Sequence, residues 1–403
     1  MVRQIFFCLL ILCGWTTTVC GQELSEKQVA ATGGEASVLA PNSLVSLAMA
    51  ATAGADIIEI GLTMSSDGRI IVFSDPGLDR LTDVRSLFPG RQSDEGLNYP
   101  ADFTLDQIRS LKLKPETAET TVADGFETGT GHLYFTIATL EEVLELVRLM
   151  ERDLARSITL IAEIKRPWLH KREGRDLSLA VLKIFNDFGY RGKEDHLFLQ
   201  CYDPDELKRI KTDLFGRFNM DLPLIQLIDE NGGTETMVEE WGRWVPYNYD
   251  WIFTRTGIRS MAALVAGVGL DEMRLVNSDG TRLLADFVAG VHDLEMKLHV
   301  LGVNKNDSAL SLSFEERLEL FWFELGADVI HTASGREATR YLFNRPEKTL
   351  VPPESSLMGH EPPDLFMENG SERKNGDGAE GVWNPEVPAH PSQHFIPPTD
   401  IDP

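Results

Sequence analysis

The sequence predicts a (β/α)8 barrel followed by a disordered, proline-rich tail, on the order of its elements, a break in composition and its length. From residue 55 onward, short β-rich apolar runs alternate with segments of helical period. Such alternation indicates a parallel sheet with crossover helices, and the number of units suits a closed barrel better than an open sheet. After Asn344 the composition changes, and eleven of the twenty prolines fall between Pro346 and Pro403, among Gly, Ser, Glu and Asp. That mixture buries too little apolar surface to offset the entropy of ordering. A chain of 403 residues, 42% apolar, is otherwise long enough for a large core.

The elements follow in order. Arg3, the apolar run Ile5 to Trp15 and the small residues Val19 and Gly21 predict a secretory leader over 1–21, and a secreted or periplasmic product. The run is too short for a stable membrane span. Thr17 and Val19 fit poorly the small-residue box that would lipidate Cys20. Cys8, Cys13 and Cys20 lie in or beside the leader, so Cys201 is left alone in the mature chain and no disulfide framework is expected. The barrel is expected over 22–344 and the tail over 345–403. Strands are predicted at 55–63, 69–75, 157–165, 196–202, 222–229, 250–253, 273–277, 296–304 and 327–332. Between them, helical periods are read at 139–150, 177–190, 204–211, 258–268, 283–294 and 314–326. The net charge of −25 excludes sequence-independent binding of nucleic acid or anionic lipid, which requires an excess of basic residues. A small-molecule or cationic partner is expected instead.

In such barrels reactive groups lie at the C-terminal ends of strands. Those ends offer Glu59, Ser74 with Asp75, Glu163 with Lys165, Gln200 with Tyr202, His299 and Thr332. Glu59 and Glu163 could converge on a hard cation such as Mg²⁺ or Ca²⁺, which prefers oxygen ligands. Alternatively each is salt-bridged, Glu163 to Lys165 for instance. Glu163 and Lys165, two residues apart on a strand, are expected to face the lumen together.

The stretch ADIIEIGLTMSSDGRIIVFSDPGLDRLTDV resembles the E-x-D…T-x-DG…HD…L-R-x-T-D-V block of the glycerophosphodiester phosphodiesterases, especially their longer periplasmic type. FPGR, DFTLDQIRSLK, EIKRPWLHKREGRDL, LQCYDPDELKRIK and YNYDW follow in similar order and spacing, so the resemblance covers roughly residues 29–343. It implies a barrel of the phospholipase-C-like type and metal-dependent hydrolysis of glycerophosphodiesters to glycerol 3-phosphate and an alcohol. It also implies paired histidines, one in an H-R-G segment and one in the H-D pair, acting as general acid and base. Ca²⁺ or Mg²⁺ would be held by carboxylates including Glu59 and Glu163, and Lys165, Gln200 and His299 would meet the substrate.

The departures fall on the chemistry. TGGEASVLAPNS, anchored on Pro41, puts Gly33 and Gly34 where the family has histidine and arginine. The glutamate after that proline is Asn42, the E-x-D aspartate is Gly61, and the H-D pair reads Ser74-Asp75. No catalytic histidine is intact at either position, which predicts weak or absent turnover with phosphodiester binding retained through Lys165. On the sequence alone, returning histidines at 33 and 74 together with an aspartate at 61 is expected to raise activity above background if the scaffold is otherwise intact. The alternatives are an active hydrolase rebuilt around Glu59, Glu163 and His331 or His299, and a secreted scaffold whose acidic surface and tail hold the partner.

Overall fold

Apolar β-branched runs bounded by polar turns give the strands, and their spacing by helices makes neighbouring strands parallel. In the computed structural model, which describes residues 27–115, 135–305 and 309–345, the strands follow in chain order. They are β1 (Gln28–Thr32), β2 (Ile57–Met64), β3 (Ile70–Val72), β4 (Thr159–Ile164), β5 (Leu197–Cys201), β6 (Leu224–Ile228), β7 (Met237–Glu240), β8 (Arg243–Pro246), β9 (Gly267–Asp271), β10 (Lys297–Leu301) and β11 (Val329–Thr332). Eight of these, β1, β2, β4, β5, β6, β9, β10 and β11, pair in parallel around a closed barrel, sealed by β1 against both β2 and β11.

Alternate strand residues point inward, and they form an apolar floor beneath a polar level. Ala30, Ile57, Ile161, Ile225, Leu227 and Val329 pack together as the floor. The helices shield the outer face through apolar stripes. In Leu140–Leu154 the buried positions are Leu140, Val143, Leu144, Val147 and Met150, at the spacing of one helix face. Thr139 starts that helix with a capping box to Glu142, so its first free N–H groups are satisfied.

Several predicted elements change. The run at 69–75 is not a barrel strand, because β3 pairs antiparallel with β2 (Leu62↔Val72) and lies outside the ring. Residues 250–253, expected as a strand, form a 3-10 turn, and 273–277 opens with the helical turn Glu272–Leu275. The helix expected to reach 268 stops at Ala262, and Gly267–Asp271 is the barrel strand. Its GVGLD sequence has poor strand propensity, but the lumen demands small residues there. A Cβ at Gly267 would lie 3.1 Å from His299 Nε2. The β7–β8 hairpin, strand β1 and the helix Leu44–Thr52 had no place in the alternation read from residue 55.

The leader expected over 1–21, Cys20 included, and the tail expected over 345–403 beyond Arg345 lie outside the described residues. Among the described residues no helix is long and apolar enough to cross a membrane.

Candidate functional site

The polar level above the floor is built on strand register. Thr32 pairs with Glu59, Gly61 with Glu163, and Glu163 with Gln200. Glu59 is the hub. Its Oε1 accepts from Gln200 Nε2 at 2.5 Å, and its Oε2 accepts from Thr32 Oγ1 at 2.5 Å and lies 2.8 Å from His331 Nδ1. His331 Nε2 in turn lies 2.9 Å from His299 Nδ1. Burial alone would raise the Glu59 carboxyl, yet the charge and hydrogen bond of His331, with those of Thr32 and Gln200, hold it down to about 2. Burial, reinforced by His331, lowers the His299 imidazole to about 3 and keeps it neutral.

The carboxylate pair does not fit the divalent cation implied by the sequence. Both oxygens of Glu59 already face donors, and Glu163 Oε1 is 2.9 Å from Lys165 Nζ. Gly61 offers no side-chain oxygen, and its carbonyl accepts from Phe73 N at 2.8 Å. Among the described residues no group of three His, Cys, Asp or Glu side chains is placed to hold a metal.

The positions expected to move protons are filled by packing. Ser74 Oγ accepts from Asn42 Nδ2 at 2.9 Å, and Ser74 sits against the bare α-carbon of Gly61, where a Cβ would lie 2.9 Å from Ser74 Cα. Asp75, the sequence neighbour of Ser74, is committed to Arg80 through both carboxylate oxygens. Gly33 (φ 65) and Gly34 (φ 85) are both left-handed. A Cβ at Gly34 would lie 2.6 Å from the backbone nitrogen of Leu47, so the helix Leu44–Thr52 occupies the space a side chain would need. Gly33 is held in place by its N–H to the Glu59 carbonyl and by its own carbonyl, which accepts from Asn42 N and Ser46 Oγ, each at 2.9 Å.

At the rim, Lys165 follows β4 and Arg166 turns the chain with φ 44 into the short helix Pro167–Arg172. Both cations meet Glu235, which precedes β7. Lys165 Nζ is 3.3 Å from Glu235 Oε2, and Arg166 Nη2 bonds Oε1. Burial opposes the Lys165 charge, but Glu163 and Glu235 hold its ammonium above the ordinary lysine range. Burial likewise opposes the Glu235 charge, and Lys165 and Arg166 keep its carboxyl below the usual range. Burial dominates at Glu163 and pushes its carboxyl up.

Of the residues singled out in the sequence, the structure joins Glu59, Gln200 and His299 in the lumen, with His331 as the link. It joins Glu163 to Lys165 at the rim. His299 is 4% exposed and lies in the lumen beside Gly267 rather than at the mouth. Thr32, Arg166 and Glu235 escape sequence reasoning. Arg166 could have been suspected beside Lys165 in EIKRP, but nothing local marks Glu235, 69 residues from its partner.

Comparison with known proteins agrees with this architecture. The model of the glycerophosphoryl diester phosphodiesterase family matches residues 33–332. A glycerophosphodiester phosphodiesterase of Haemophilus influenzae is 35% identical over 275 residues, covering 65% of this chain and 73% of that one. Another from Treponema pallidum is 30% identical over 318 residues, covering 76% of this chain and 89% of its own. Among solved structures, a protein of Silicibacter pomeroyi assigned to the family superposes with a TM-score of 0.55 at 18% identity, covering 79% of this chain and 94% of that one. That likeness bears on the fold alone.

Proposed function

Because the chain belongs to the glycerophosphoryl diester phosphodiesterase family, we propose that it is a secreted member that recognises a phosphate ester at the barrel mouth while hydrolysing it weakly or not at all. The family's reaction is the hydrolysis of glycerophosphodiesters, with a group titrating near neutrality on each side of the phosphorus. The observation that carries the reading is the pair Gly33 and Ser74, neither of which can exchange a proton at neutral pH. Loss of one positioned proton-transfer group costs about 10² to 10⁴ in rate.

Substitutes are poorly placed. His299 and His331 are buried and bonded to one another, and His331 is spent on Glu59. Ser74 lacks a base, since its hydroxyl accepts from Asn42 and Asp75 is held by Arg80. The cations at the rim remain suited to recognition, because Lys165 presents a point charge of the kind that binds phosphate oxygens. No step through a metal is derived, because the donor set does not fit one.

The test is release of glycerol 3-phosphate from glycerophosphocholine by the purified chain, with and without added Ca²⁺ or Mg²⁺. Release at or near background is expected. Turnover of about 1 per second or more, in the ordinary enzymatic range, overturns the proposal.

A further inference from the structure

The connection between β6 and β9 does more than close the barrel. It carries the β7–β8 hairpin, and the residues just before that hairpin lie against the two rim cations. Trp168 Nε1, in the helix after Arg166, donates to the Thr234 carbonyl at 3.2 Å, and the Trp168 ring packs on Trp244 of β8 at 5.6 Å between centroids. Tyr247 N donates to the Thr236 carbonyl at 3.0 Å and ties the far end of the hairpin back to its start. The segment thus forms a strap docked on one side of the mouth. At its base lies Gly232 (φ 100), where a Cβ would meet nothing within 4 Å, followed by Gly233, which packs against the Asp229 carboxylate.

What the strap delivers is a carboxylate. Successive residues of an extended strand point to opposite faces, but the left-handed turn at Arg166 lets Lys165 and Arg166 reach the same group. Glu235 Oε1 takes the guanidinium and Oε2 faces the ammonium, so one planar anion with paired oxygens bridges both cations. A phosphate ester presents a comparable pair of oxygens to a guanidinium and an ammonium. The Glu235 side chain is 19% exposed, against 12% for Lys165 and 9% for Arg166, so all three groups are largely shielded from water and the contact is a close one.

We propose that Lys165 and Arg166 form a phosphate-ester site and that Glu235 is its internal competitor, a strap-borne carboxylate that must withdraw before an external anion can bind. The inference rests on the reading that Lys165 recognises phosphate, and it adds Arg166 to that site and an autoinhibitory contact to its control. Glu163 Oε1 lies 2.9 Å from Lys165 Nζ, a second contact that does not involve Glu235 and would keep the ammonium oriented when Glu235 departs.

The experiment is calorimetric titration of the full chain with glycerol 3-phosphate, and in parallel with inorganic phosphate and glycerophosphocholine to separate ester from free anion. Glu235→Gln keeps the side chain's shape and removes its charge, and it is expected to tighten binding at least about tenfold. Lys165→Met or Arg166→Met in the Glu235→Gln background should abolish that gain. Trp168→Phe removes the tether to Thr234 but keeps both cations and Glu235, and is expected to tighten binding about fivefold, as the loss of one neutral hydrogen bond allows. It also keeps the proposal testable if Glu235→Gln melts below the parent. If wild type binds measurably and neither Glu235→Gln nor Trp168→Phe tightens it, the competitor is overturned, while weakened binding in Lys165→Met would leave the phosphate reading intact. Binding that ignores Lys165→Met in every background overturns both.

Discussion

Gly61 and Ser74 occupy one space, so their substitutions are coupled. A Cβ at position 61 would lie 2.9 Å from Ser74 Cα and 3.0 Å from Ser74 Cβ. Gly61→Ala is therefore expected to cost about 1–3 kcal/mol by overpacking. Ser74→Gly should return part of that loss, giving a coupling of about 0.5 kcal/mol or more in a double-mutant cycle by urea denaturation. Strict additivity would show that the two sites do not touch in solution. The same crowding means that an aspartate restored at 61 and a histidine at 74 cannot simply be added to the existing backbone. A second residue-scale effect is at His170, whose Nε2 is 3.0 Å from Thr63 Oγ1. Burial, with Arg175 nearby, lowers its imidazole to about 4. The unfolded chain then takes up this proton near pH 6.5 and the folded chain only near 4, so stability falls as pH falls through that window and levels below it. In His170→Gln the loss between pH 7 and 4 is expected to shrink by about 3 kcal/mol. An unchanged pH profile would mean that His170 titrates alike in both states.

At the level of elements, the junction between β1 and the helix Leu44–Thr52 is what replaces the expected histidine and arginine. Gly33 and Gly34 are left-handed, and the helix backbone lies against Gly34. Gly34→Ala combines a left-handed penalty of about 1–2 kcal/mol with overpacking of about 1–3 kcal/mol. A total loss of about 2–5 kcal/mol is expected in equilibrium denaturation, and a loss under about 1 kcal/mol would show that the junction relaxes. An arginine thus cannot be returned at 34 without moving the helix, and a histidine at 33 meets a left-handed backbone with Pro41 Cβ 3.0 Å from its own Cβ. Restoring histidines at 33 and 74, which the sequence alone suggests as a repair, is expected to leave glycerol 3-phosphate release near background.

For the whole molecule the decisive question is how the barrel neutralises its buried carboxylate. Glu59 has Thr32, Gln200 and His331 as its donors, so an internal network stands where a cation was expected. Millimolar Ca²⁺ or Mg²⁺ is accordingly expected to leave the melting temperature unchanged within about 1 °C, whereas a site with a Kd a hundredfold below the ion concentration adds about 2.7 kcal/mol. A metal-dependent rise that disappears in Glu59→Gln would show that an ion displaces the network.

Much of this was open to reading along the chain. Hydrophobic period and turn residues specify which segments become strands and helices, and they are local properties, so the barrel and the inward pairing of Glu163 with Lys165 follow from the sequence itself, while the family resemblance marks Gly33 and Ser74 as the positions without histidine. Contacts across the barrel are of another kind. GVGLD becomes a strand through its pairing with β6 and β10 and its Gly267 leaves space for the His299 ring, and whether Glu59 binds an ion or three donors depends on side chains from β1, β5 and β11 meeting at one point. Glu235 reaches Arg166 from 69 residues away. Only closure of the chain sets these distances, because the free energy of a buried charge is fixed by the neighbours that enclose it and not by its place in the sequence.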